Sequence, residues 1–334
     1  MVTSHQHILG LLENVKPKMS YSGGDFNAWQ KEAREKLYEL LRMDRITAVE
    51  PRLEIEYEEM HDDFKEIRFT FYSEEGYRVP CHLLLPKGVK NPPVMICLQG
   101  HSTGMHISLG RAKYPVDEEC VKDGDRDFCI RAIKEGFAAI ALEQRNFGES
   151  RGEIGDSIRC RNGALSALML GRTTIGARVW DVQRLIDLIE TEFADLVDTN
   201  CISCMGNSGG GTATLYLAAL DDRIKLCMPS CSLCTFRESI GAIDHCACNY
   251  IPDMSNYFEM DDLIAMAAPK FYIQVSGIID PIFPIEYAEK VHEKGKATYE
   301  RLGFGNRCVL VKGNGGHRFF ADDSWPIVHK FLGK

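Results

Sequence analysis

The sequence has no long hydrophobic run, no low-complexity tract and no internal repeat. No stretch approaches the ~18 to 20 apolar residues that a membrane-spanning helix needs. It also lacks a basic cluster with interleaved aromatic residues, and its net charge is −9, from 39 Lys and Arg against 48 Asp and Glu. A negative balance disfavours nucleic acid and anionic membranes. We therefore expect neither as a partner.

A targeting segment is also not apparent. Residues 1–5 carry neither a positive region nor an apolar run, so no secretory signal is visible and a cytoplasmic location is expected. The 13 cysteines are accordingly expected to be reduced thiols. A hydrophobic content of 45% and a charged content of 26% are ordinary for a globular chain, and 334 residues suit one large domain with insertions. The oligomeric state stays open, a homo-oligomer included.

One serine lies in the setting of a nucleophile elbow. In CISCMGNSGGGTAT, residues 201–214, Gly206, Ser208 and Gly210 fit the pattern G-x-S-x-G. An apolar run precedes the pattern and a small-residue helix start follows it, an arrangement that pushes a serine out at the top of a sheet. A side chain at either glycine would collide across the turn. The motif predicts Ser208 as a nucleophile; a Gly/Ser loop before an ordinary helix is the alternative.

A serine nucleophile needs a base and an orienting acid, which in this arrangement follow it as Asp or Glu and then His. Residues 271–275 resemble a buried strand that leads to Asp280, and residues 308–311 resemble a strand followed by a glycine-rich turn with His317. The carboxyl ends of parallel strands share the edge where ligands bind. We therefore expect Asp280 and His317 to complete a triad with Ser208.

Backbone N–H groups are expected to form an oxyanion hole. One donor is the residue after the nucleophile, here Gly209, and the other comes from the loop after an earlier strand. The apolar strand 93–98 ends in Gln99-Gly100-His101, where Gly100 permits close backbone approach. The N–H of His101 is the second predicted donor. Its imidazole is not the predicted base, because His101 precedes the serine.

Together these motifs resemble the α/β-hydrolases, and more narrowly the bacterial acetyl xylan esterases and dienelactone-hydrolase-like esterases. The similarity spans roughly residues 65–332. Beyond the triad it rests on segments 98–101, 143–150, 170–172, 180–181, 280–284 and 315–319. Asn207 before the serine and Asn146 after an arginine depart from the family pattern. They leave the subfamily, and with it the substrate, open.

The resemblance implies two-step acyl transfer to water without cofactor or metal. His317 would take the Ser208 proton, and Asp280 would fix the imidazole tautomer. The expected substrate is a small-molecule ester, with acetyl as the acyl group and a polar alcohol such as a sugar. Arg172 and Asp181 are expected to be structural ion partners around the helix before the elbow, and a structural role is favoured for Arg145 as well.

The alternation of strands and helices predicts an α/β fold, a mostly parallel sheet with helices on both faces. Residues 1–60 are predicted to form a helical N-terminal cap, with a helix over 28–41, and residues 61–334 the hydrolase domain. Period-two alternation predicts a hairpin within 67–85, turning at Glu75-Gly76. Further predicted elements are strands at 138–142 and 224–228 and a helix at 177–189.

Two insertions without strand patterning, 103–127 and 231–262, are predicted to open on the catalytic edge. The first is polar, and its charged residues expected near that edge are Arg111, Lys113, Asp117, Glu118 and Asp123. The second is richer in apolar and aromatic residues, and its predicted pocket-lining residues are Tyr250, Met254, Tyr257 and Phe258. The acidic residues of the second insertion, Asp253, Asp261 and Asp262, compete with Asp280, because some α/β-hydrolases carry the acid there.

Four thiols and an imidazole lie within eighteen residues, at Cys231, Cys234, His245, Cys246 and Cys248. A structural zinc site uses such ligands. The spacing of the C-x-C half is unusual, however, and the segment falls where α/β-hydrolases insert lids. Buried free thiols are therefore favoured, and no metal is expected.

Four other functions compete with a small-acyl esterase. A peptidase of the prolyl oligopeptidase type shares the triad, but about 60 N-terminal residues are too few for its usual extra domain. A lactone hydrolase is harder to separate, although many use cysteine as the nucleophile. The aromatic residues of the second insertion would suit a feruloyl-type esterase. An inactive hydrolase fold used for binding is the non-enzyme alternative.

Overall fold

The computed structural model describes residues 2–152 and 160–333. Nine strands form one sheet within these residues. Their bounds are β1 Leu53–Met60, β2 Phe64–Glu74, β3 Tyr77–Pro86, β4 Pro93–Leu98, β5 Ala138–Leu142, β6 Asp198–Asn207, β7 Ile224–Ser230, β8 Phe271–Gly277 and β9 Cys308–Gly313. The order across the sheet is β1-β2-β3-β5-β4-β6-β7-β8-β9.

Helices connect most of these strands. They are α1 Ser4–Asn14, α2 Phe26–Leu40, α3 Pro115–Lys122, α4 Phe128–Lys134, α5 Arg161–Met169, α6 Thr174–Glu192, α7 Gly209–Leu220, α8 Met254–Tyr257, α9 Met260–Ala267, α10 Ile285–Arg301 and α11 Ala321–Leu332. Capping side chains mark several starts: Asp25 accepts from two N–H groups of α2, and Thr173 accepts from Gly176 of α6. Among the described helices, none is both long and apolar enough to cross a membrane.

The sheet has an antiparallel and a parallel half. Strands β1, β2 and β3 pair antiparallel, and β3 joins β5 antiparallel. From β5 onward the neighbours β4, β6, β7, β8 and β9 all pair parallel. The carboxyl ends of these six strands therefore lie along one edge, which is where the loops carrying Gln99, Ser208, Asp280 and His317 begin.

Apolar side chains cover both faces of the sheet. One core cluster packs α2, α6, α7, α9 and α10 against the strands, and the other packs α4 and α11 against the opposite face. The strand residues divide accordingly: Ile96 and Leu98 belong to the first cluster, and Met95 and Cys97 to the second. This alternation follows from the period of two in a strand. The predicted α/β-hydrolase fold is confirmed.

Most predicted elements match the structure. Strands β4 and β5 have the predicted bounds, and β2 and β3 form the predicted hairpin, in which Glu74 pairs with Tyr77. One expectation was wrong. The region up to residue 60 is not helical throughout, because Leu53–Met60 form an edge strand on β2. Earlier in that region, α2 packs Ala33, Leu37 and Leu40 into the main core.

The two insertions are built from short helical elements. Residues 103–127 contain a helical turn, Met105–Leu109, and α3. Residues 231–262 contain the turns Arg237–Gly241 and Ala247–Asn249, then α8 and the start of α9. Both insertions follow carboxyl ends of parallel strands, β4 and β7 respectively. They therefore start at the same edge as the predicted catalytic residues.

Candidate active site

Ser208 occupies the sharp turn between β6 and α7. Its backbone adopts φ 57° and ψ −121°, a positive φ that a non-glycine residue rarely takes. Its N–H donates to the carbonyl of Ser230 at the end of β7 (2.8 Å), and its own carbonyl accepts from Thr212 in the first turn of α7 (2.8 Å). The neighbouring strand and the following helix thus hold this conformation. This is the geometry expected of a nucleophile elbow.

The glycines around the elbow leave room only for hydrogen. A Cβ on Gly206 would lie 2.5 Å from the backbone of Gly210, and one on Gly210 would collide with the carbonyl of Leu98. Gly100 is equally confined, because its Cβ would lie 2.5 Å from the Asn207 oxygen and 2.8 Å from the Ser208 Cβ. The sequence reasoning on these glycines is confirmed.

Asp280 and His317 meet at the edge of the sheet. The Nδ1 of His317 lies 2.8 Å from Oδ2 of Asp280, while Oδ1 of Asp280 accepts from the N–H groups of Ile282 (2.8 Å) and Phe283 (3.2 Å). The ring of Phe283 stacks on that of His317. Burial by itself raises the pKa of Asp280, but these hydrogen bonds, led by that from His317, hold the pKa below its usual range. The carboxyl group is therefore ionised at neutral pH.

The three competing carboxylates have other partners. Asp253 accepts from the side chain of Asn256, and Asp262 accepts from Ser20 and from the N–H of Glu259 at the start of α9. Asp261 lies 4.0 Å from Lys294. Among the described residues, the one carboxylate bonded to His317 is that of Asp280.

The loop carrying the predicted second oxyanion donor lies against the elbow. The Cβ position of Gly100 is 3.3 Å from the nitrogen of Gly209, so the backbone around His101 runs beside the other predicted donor. The imidazole of His101 contacts the ring of Phe147 at a centroid distance of 4.9 Å. Burial lowers the pKa of His101, so the ring is neutral at pH 7.

A cavity of about 410 Å³ lies beside His317. It is lined by His101, Ser102, Thr103, Val116, Asp117, Glu119, Cys120, Asp123, Gly124, Arg126, Gly316, His317 and Arg318. The polar first insertion thus supplies most of the wall. The carboxylate of Asp117 forms its hydrogen bonds within the first insertion. It accepts from Thr103, from His106 (2.9 Å) and from the N–H groups of Lys113 and Tyr114 (2.9 Å each). Two other charged residues of this insertion pair elsewhere, Arg111 with Glu66 and Glu118 with Lys122.

Arg126 is the unusual residue of this wall. Its Nε donates to Oε1 of Gln99 (3.1 Å), and its Nη1 contacts the sulfur of Cys120 (3.7 Å). Its Nη2 is buried without a hydrogen-bond partner in the described part of the chain. Burial lowers the pKa of the guanidinium, but arginine stays charged at every physiological pH. The wall of the cavity therefore includes a cation with a buried donor that has no partner among the described residues.

The predicted pocket residues of the second insertion do not line this cavity. Phe258 is fully buried in the main core, and the ring of Tyr257 is covered by Lys18 and Lys36. Tyr250 and Met254 line a separate cavity of about 130 Å³. The reason lies in the N-terminal segment, because the N–H groups of residues 18 and 19 donate to the carbonyls of Asn256 and Tyr257 and cover this part of the insertion. The cavity beside His317 thus contains none of these four residues, and their role in lining the substrate pocket stays a prediction.

The ion partners predicted around α6 are present. Arg145 makes two 2.8 Å hydrogen bonds to Asp181 and also pairs with Glu74, which in turn binds Arg172 (2.5 Å). The guanidinium of Arg145 also lies 4.2 Å above the ring of Tyr77.

Asn146 departs from the family pattern, and its backbone conformation accounts for the residue type. Its φ of 67° suits glycine, and asparagine is the usual second choice there.

The four cysteines and the histidine that lie close together in the sequence of the second insertion occupy different environments in the structure. Cys234 is buried in the main core, and the ring of His245 contacts Ser239. Cys231 has its sulfur beside Asp280 and His317, and burial raises its pKa to about 12, so it is a neutral thiol there. Cys246 and Cys248 instead approach His101 and Cys160, which the sequence reasoning did not combine.

Glu143 is a further residue that the sequence reasoning missed. It follows β5, is 1% exposed, and accepts from the N–H groups of Met105 (3.1 Å) and Glu149 (3.1 Å). Burial raises its pKa to about 7. Its carboxyl group thereby ties the first insertion to the turn after β5, where Gly104 and Gly148 pass so closely that neither has room for a Cβ.

The sheet order, the elbow and the edge that carries Asp280 and His317 define an α/β-hydrolase-fold protein. The chain belongs to the Abhydrolase family, whose model matches residues 1–296. The Bacillus subtilis (strain 168) protein named "Putative hydrolase YtaP" is 24% identical over 243 residues, which are 72% of this chain and 78% of the relative.

Solved structures share the fold at low sequence identity. A structure titled as a putative acetyl xylan esterase from Bacteroides fragilis superposes with a TM-score of 0.78 at 18% identity, over 94% of this chain and 82% of the other. A glucuronoyl esterase from Solibacter usitatus superposes with a TM-score of 0.67 at 14% identity, over 96% of this chain and 99% of the other.

Proposed function

We propose that the protein is a serine hydrolase that cleaves carboxylic esters, with Ser208, His317 and Asp280 as its triad. The observation that carries the proposal is the 2.8 Å hydrogen bond between His317 Nδ1 and Asp280 Oδ2, at the edge where the elbow presents Ser208. An imidazole that donates from Nδ1 to a carboxylate has an unprotonated Nε2, which is the tautomer that a general base needs.

The reaction proceeds in two steps. The Nε2 of His317 takes the Ser208 proton as the oxygen attacks the ester carbonyl, and Asp280 stabilises the imidazolium. The N–H groups of Gly209 and His101 hold the oxyanion, each contributing on the order of 3 kcal/mol to transition-state stabilisation. His317 then protonates the leaving alcohol. Water, activated by the same base, hydrolyses the acyl-enzyme and restores Ser208.

The proposed substrate is an ester with a small acyl group, acetyl first, on a polar alcohol such as a sugar. The polar wall of the cavity beside His317 supports this alcohol, since it includes Asp123 and two residues with buried polar atoms that lack a partner among the described residues, Ser102 and Arg126. The titles of the solved relatives, acetyl xylan and glucuronoyl esterases, agree with a carbohydrate ester. An aryl-acyl pocket has less support, because Tyr257 and Phe258 are occupied elsewhere.

One observation favours a second substrate class, an ester whose sugar or acid part carries a carboxylate. Arg126 forms no ion pair with a carboxylate of the described residues, and its Nη2 lacks a partner. A buried guanidinium recognises a carboxylate through charge-assisted, often bidentate, hydrogen bonds. The same donor would serve a neutral hydroxyl more weakly. The two classes are therefore distinguishable by the effect of removing Arg126.

Labelling with a fluorophosphonate probe, followed by peptide mapping, tests the nucleophile. The adduct is expected on Ser208 in the folded protein and absent after heat denaturation. No adduct on folded protein would indicate an inactive fold used for binding. An adduct without ester turnover, but with cleavage of a prolyl peptide or a lactone, would move the assignment to those hydrolases.

Acyl preference is tested by kcat/KM across acetyl, butyryl, octanoyl and feruloyl esters. A maximum at acetyl is expected, although a hydrophobic pocket separates neighbouring chain lengths by only about 1 to 3 kcal/mol per methylene. A maximum at octanoyl would reject the small-acyl substrate. A maximum at feruloyl would favour an aromatic-acid esterase.

A further inference from the structure

Four side chains of types that can bind a metal lie close together where the loop after β4, called here the oxyanion loop, meets two other segments: His101, Cys160, Cys246 and Cys248. We call them the thiol–imidazole cluster. One ligand atom from each lies within 4.8 Å of every other. Three segments supply them, namely the loop after β4, the residue before α5, and the turn at residues 247–249 with its flank. Residues so far apart in sequence meet here only because of the fold.

We propose that the thiol–imidazole cluster is a structural zinc site with three thiolates and one imidazole as ligands. Zn–S bonds of about 2.3 Å and a Zn–N bond of about 2.0 to 2.1 Å at tetrahedral angles separate the ligand atoms by about 3.5 to 3.8 Å. The Nε2 of His101 lies 3.3 Å from the sulfur of Cys248 and 3.5 Å from that of Cys160. These separations fit a shared metal with small adjustments.

The distance between the sulfurs of Cys160 and Cys246 distinguishes two separate thiols from a disulfide. Sγ of Cys160 lies 2.9 Å from Sγ of Cys246. A disulfide requires about 2.05 Å, so these cysteines are not bonded to each other. The sulfur of Cys248 and the Nε2 of His101 lie within 4.8 Å of both sulfurs, so the four ligand atoms surround one small space. Zinc would move the two sulfurs apart to its own ligand spacing.

The surroundings of the cluster supply a matching charge. Arg178 is completely buried, and its donors go to the carbonyl of Arg145 (2.9 and 3.1 Å) and to the sulfur of Cys248 (3.6 Å). No carboxylate in the described part of the chain pairs with this guanidinium. A buried charge without a counter-ion is costly. Zinc with three thiolates and a neutral imidazole has a net charge of −1, which balances Arg178.

Four protein ligands leave no open position for a substrate, as in a closed structural site. Two of them are buried, Cys160 at 3% and Cys248 at 2% exposure, while His101 and Cys246 are partly exposed. Binding displaces one proton from each thiol to solvent and changes no oxidation state. The metal joins the oxyanion loop to the start of α5 and to the second insertion. The N–H of His101 stays available, because the ligand is its side-chain Nε2.

Zinc content of the untagged, full-length protein tests the site. Wild type purified without chelator is expected to hold about one zinc per chain, and Cys160→Ser and Cys248→Ser to hold far less. Cys201→Ser is the matched control, because Cys201 lies at the start of β6 outside the cluster. Equal zinc in the cluster variants and the control would overturn the proposal. Esterase activity plays no part in this readout, so it stands or fails separately from the proposed function.

Cobalt substitution tests the ligand set without any mutation. Wild type grown with Co²⁺ in place of zinc is expected to show intense thiolate-to-metal absorption and the strong visible bands of tetrahedral cobalt. Protein that holds neither metal and shows no such spectrum would overturn the proposal, even where the cysteine variants fail to fold. A Cys160–Cys246 disulfide found by non-reducing peptide mapping of metal-free protein would overturn it as well.

Discussion

Asp280 holds the imidazole of His317 by a 2.8 Å hydrogen bond while the N–H groups of Ile282 and Phe283 hold its other oxygen. The carboxylate is thus fixed on both sides before any substrate binds. Its lowered pKa means that it stays charged as His317 becomes protonated during the reaction. Asp280 therefore holds the proposed base by its Nδ1, while the ring of Phe283 stacks on the imidazole.

Asp280→Asn is therefore expected to reduce kcat by roughly three to four orders of magnitude, because the amide favours the wrong imidazole tautomer. Thermal unfolding should change far less than activity, since the amide has nearly the same shape. Asp253→Asn is the control, because Asp253 was an alternative candidate for the triad acid but is exposed and bonds Asn256. If Asp253→Asn lost the activity and Asp280→Asn kept it, the acid would be misassigned.

Ser208→Ala is expected to remove ester hydrolysis, leaving only the weak residual rate due to binding and the oxyanion hole. Ser203→Ala is the matched control on the same strand, since the Ser203 hydroxyl is buried and has no hydrogen-bond partner among the described residues. Rates on an activated acetyl ester, with circular dichroism to verify folding, provide the measurement. A Ser208→Ala variant with more than a few per cent of the wild-type rate would show that the nucleophile is another residue.

Local patterns in the sequence were sufficient to locate the edge of the sheet. Ser208 lies in a motif whose glycines have a steric role, and Asp280 and His317 each follow a recognisable strand. Parallel strands then bring their ends together without further information. The strand Leu53–Met60 could also have been predicted from the sequence, because Leu53, Ile55 and Tyr57 alternate with glutamates. The helical expectation for that segment overlooked this alternation.

Contacts between distant segments could not be predicted in this way. The spacing of Cys246 and Cys248 favoured partners nearby in sequence, whereas the fold brings them to His101 and Cys160. Likewise, Tyr257 is aromatic and lies in an insertion at the right edge, but the N-terminal segment covers it. Neither the thiol–imidazole cluster nor the covering of Tyr257 can be predicted from a single sequence, because both depend on which distant surfaces of the chain pack together.

Gly210→Ala is expected to destabilise the protein by about 3 kcal/mol or more, because the new Cβ meets rigid backbone at Leu98. Neither strand nor helix can move aside, since Gly206 is confined by the same contact. Gly10→Ala is the control, as that glycine lies in α1 with open space around it and alanine favours a helix. Urea unfolding midpoints measure both. A Gly210→Ala midpoint equal to that of wild type would contradict the close approach at the elbow.

Glu143 predicts a pH dependence of stability. Its pKa in the folded protein, about 7, lies above the usual value of about 4.3, so folding favours the protonated acid. The stability that it contributes is full below about pH 4 and is lost as the pH rises to about 7, a change of roughly 3 kcal/mol. Glu143→Gln, which stays neutral, should therefore show a flatter fall in unfolding free energy between pH 5 and pH 8.

The control for this measurement is Glu289→Gln, a partly exposed carboxylate paired with Lys312. Its unfolding free energy should follow the wild-type pH dependence closely, because all other titrating groups are shared. Only the difference in slope between the two variants is attributed to Glu143. Parallel curves for Glu143→Gln and wild type would mean that the buried carboxyl group is not protonated in the folded protein at neutral pH.

Arg126 separates the two substrate classes proposed for the cavity beside His317. Its Nη2 has no partner among the described residues, so a substrate carboxylate would satisfy both a hydrogen bond and a buried charge. Arg126→Met is expected to lower kcat/KM for an acetylated uronic acid, whose carboxylate is free, by about 100-fold, a loss of roughly 3 kcal/mol, if that class is the substrate. For a neutral acetylated sugar the loss should be nearer tenfold, since only an uncharged hydroxyl loses its donor.

Arg318→Met is the matched control, because Arg318 lines the same cavity but already pairs with Asp125 at 2.8 Å. Equal losses for both esters and both variants would mean that Arg126 supports the shape of the wall and does not recognise the substrate.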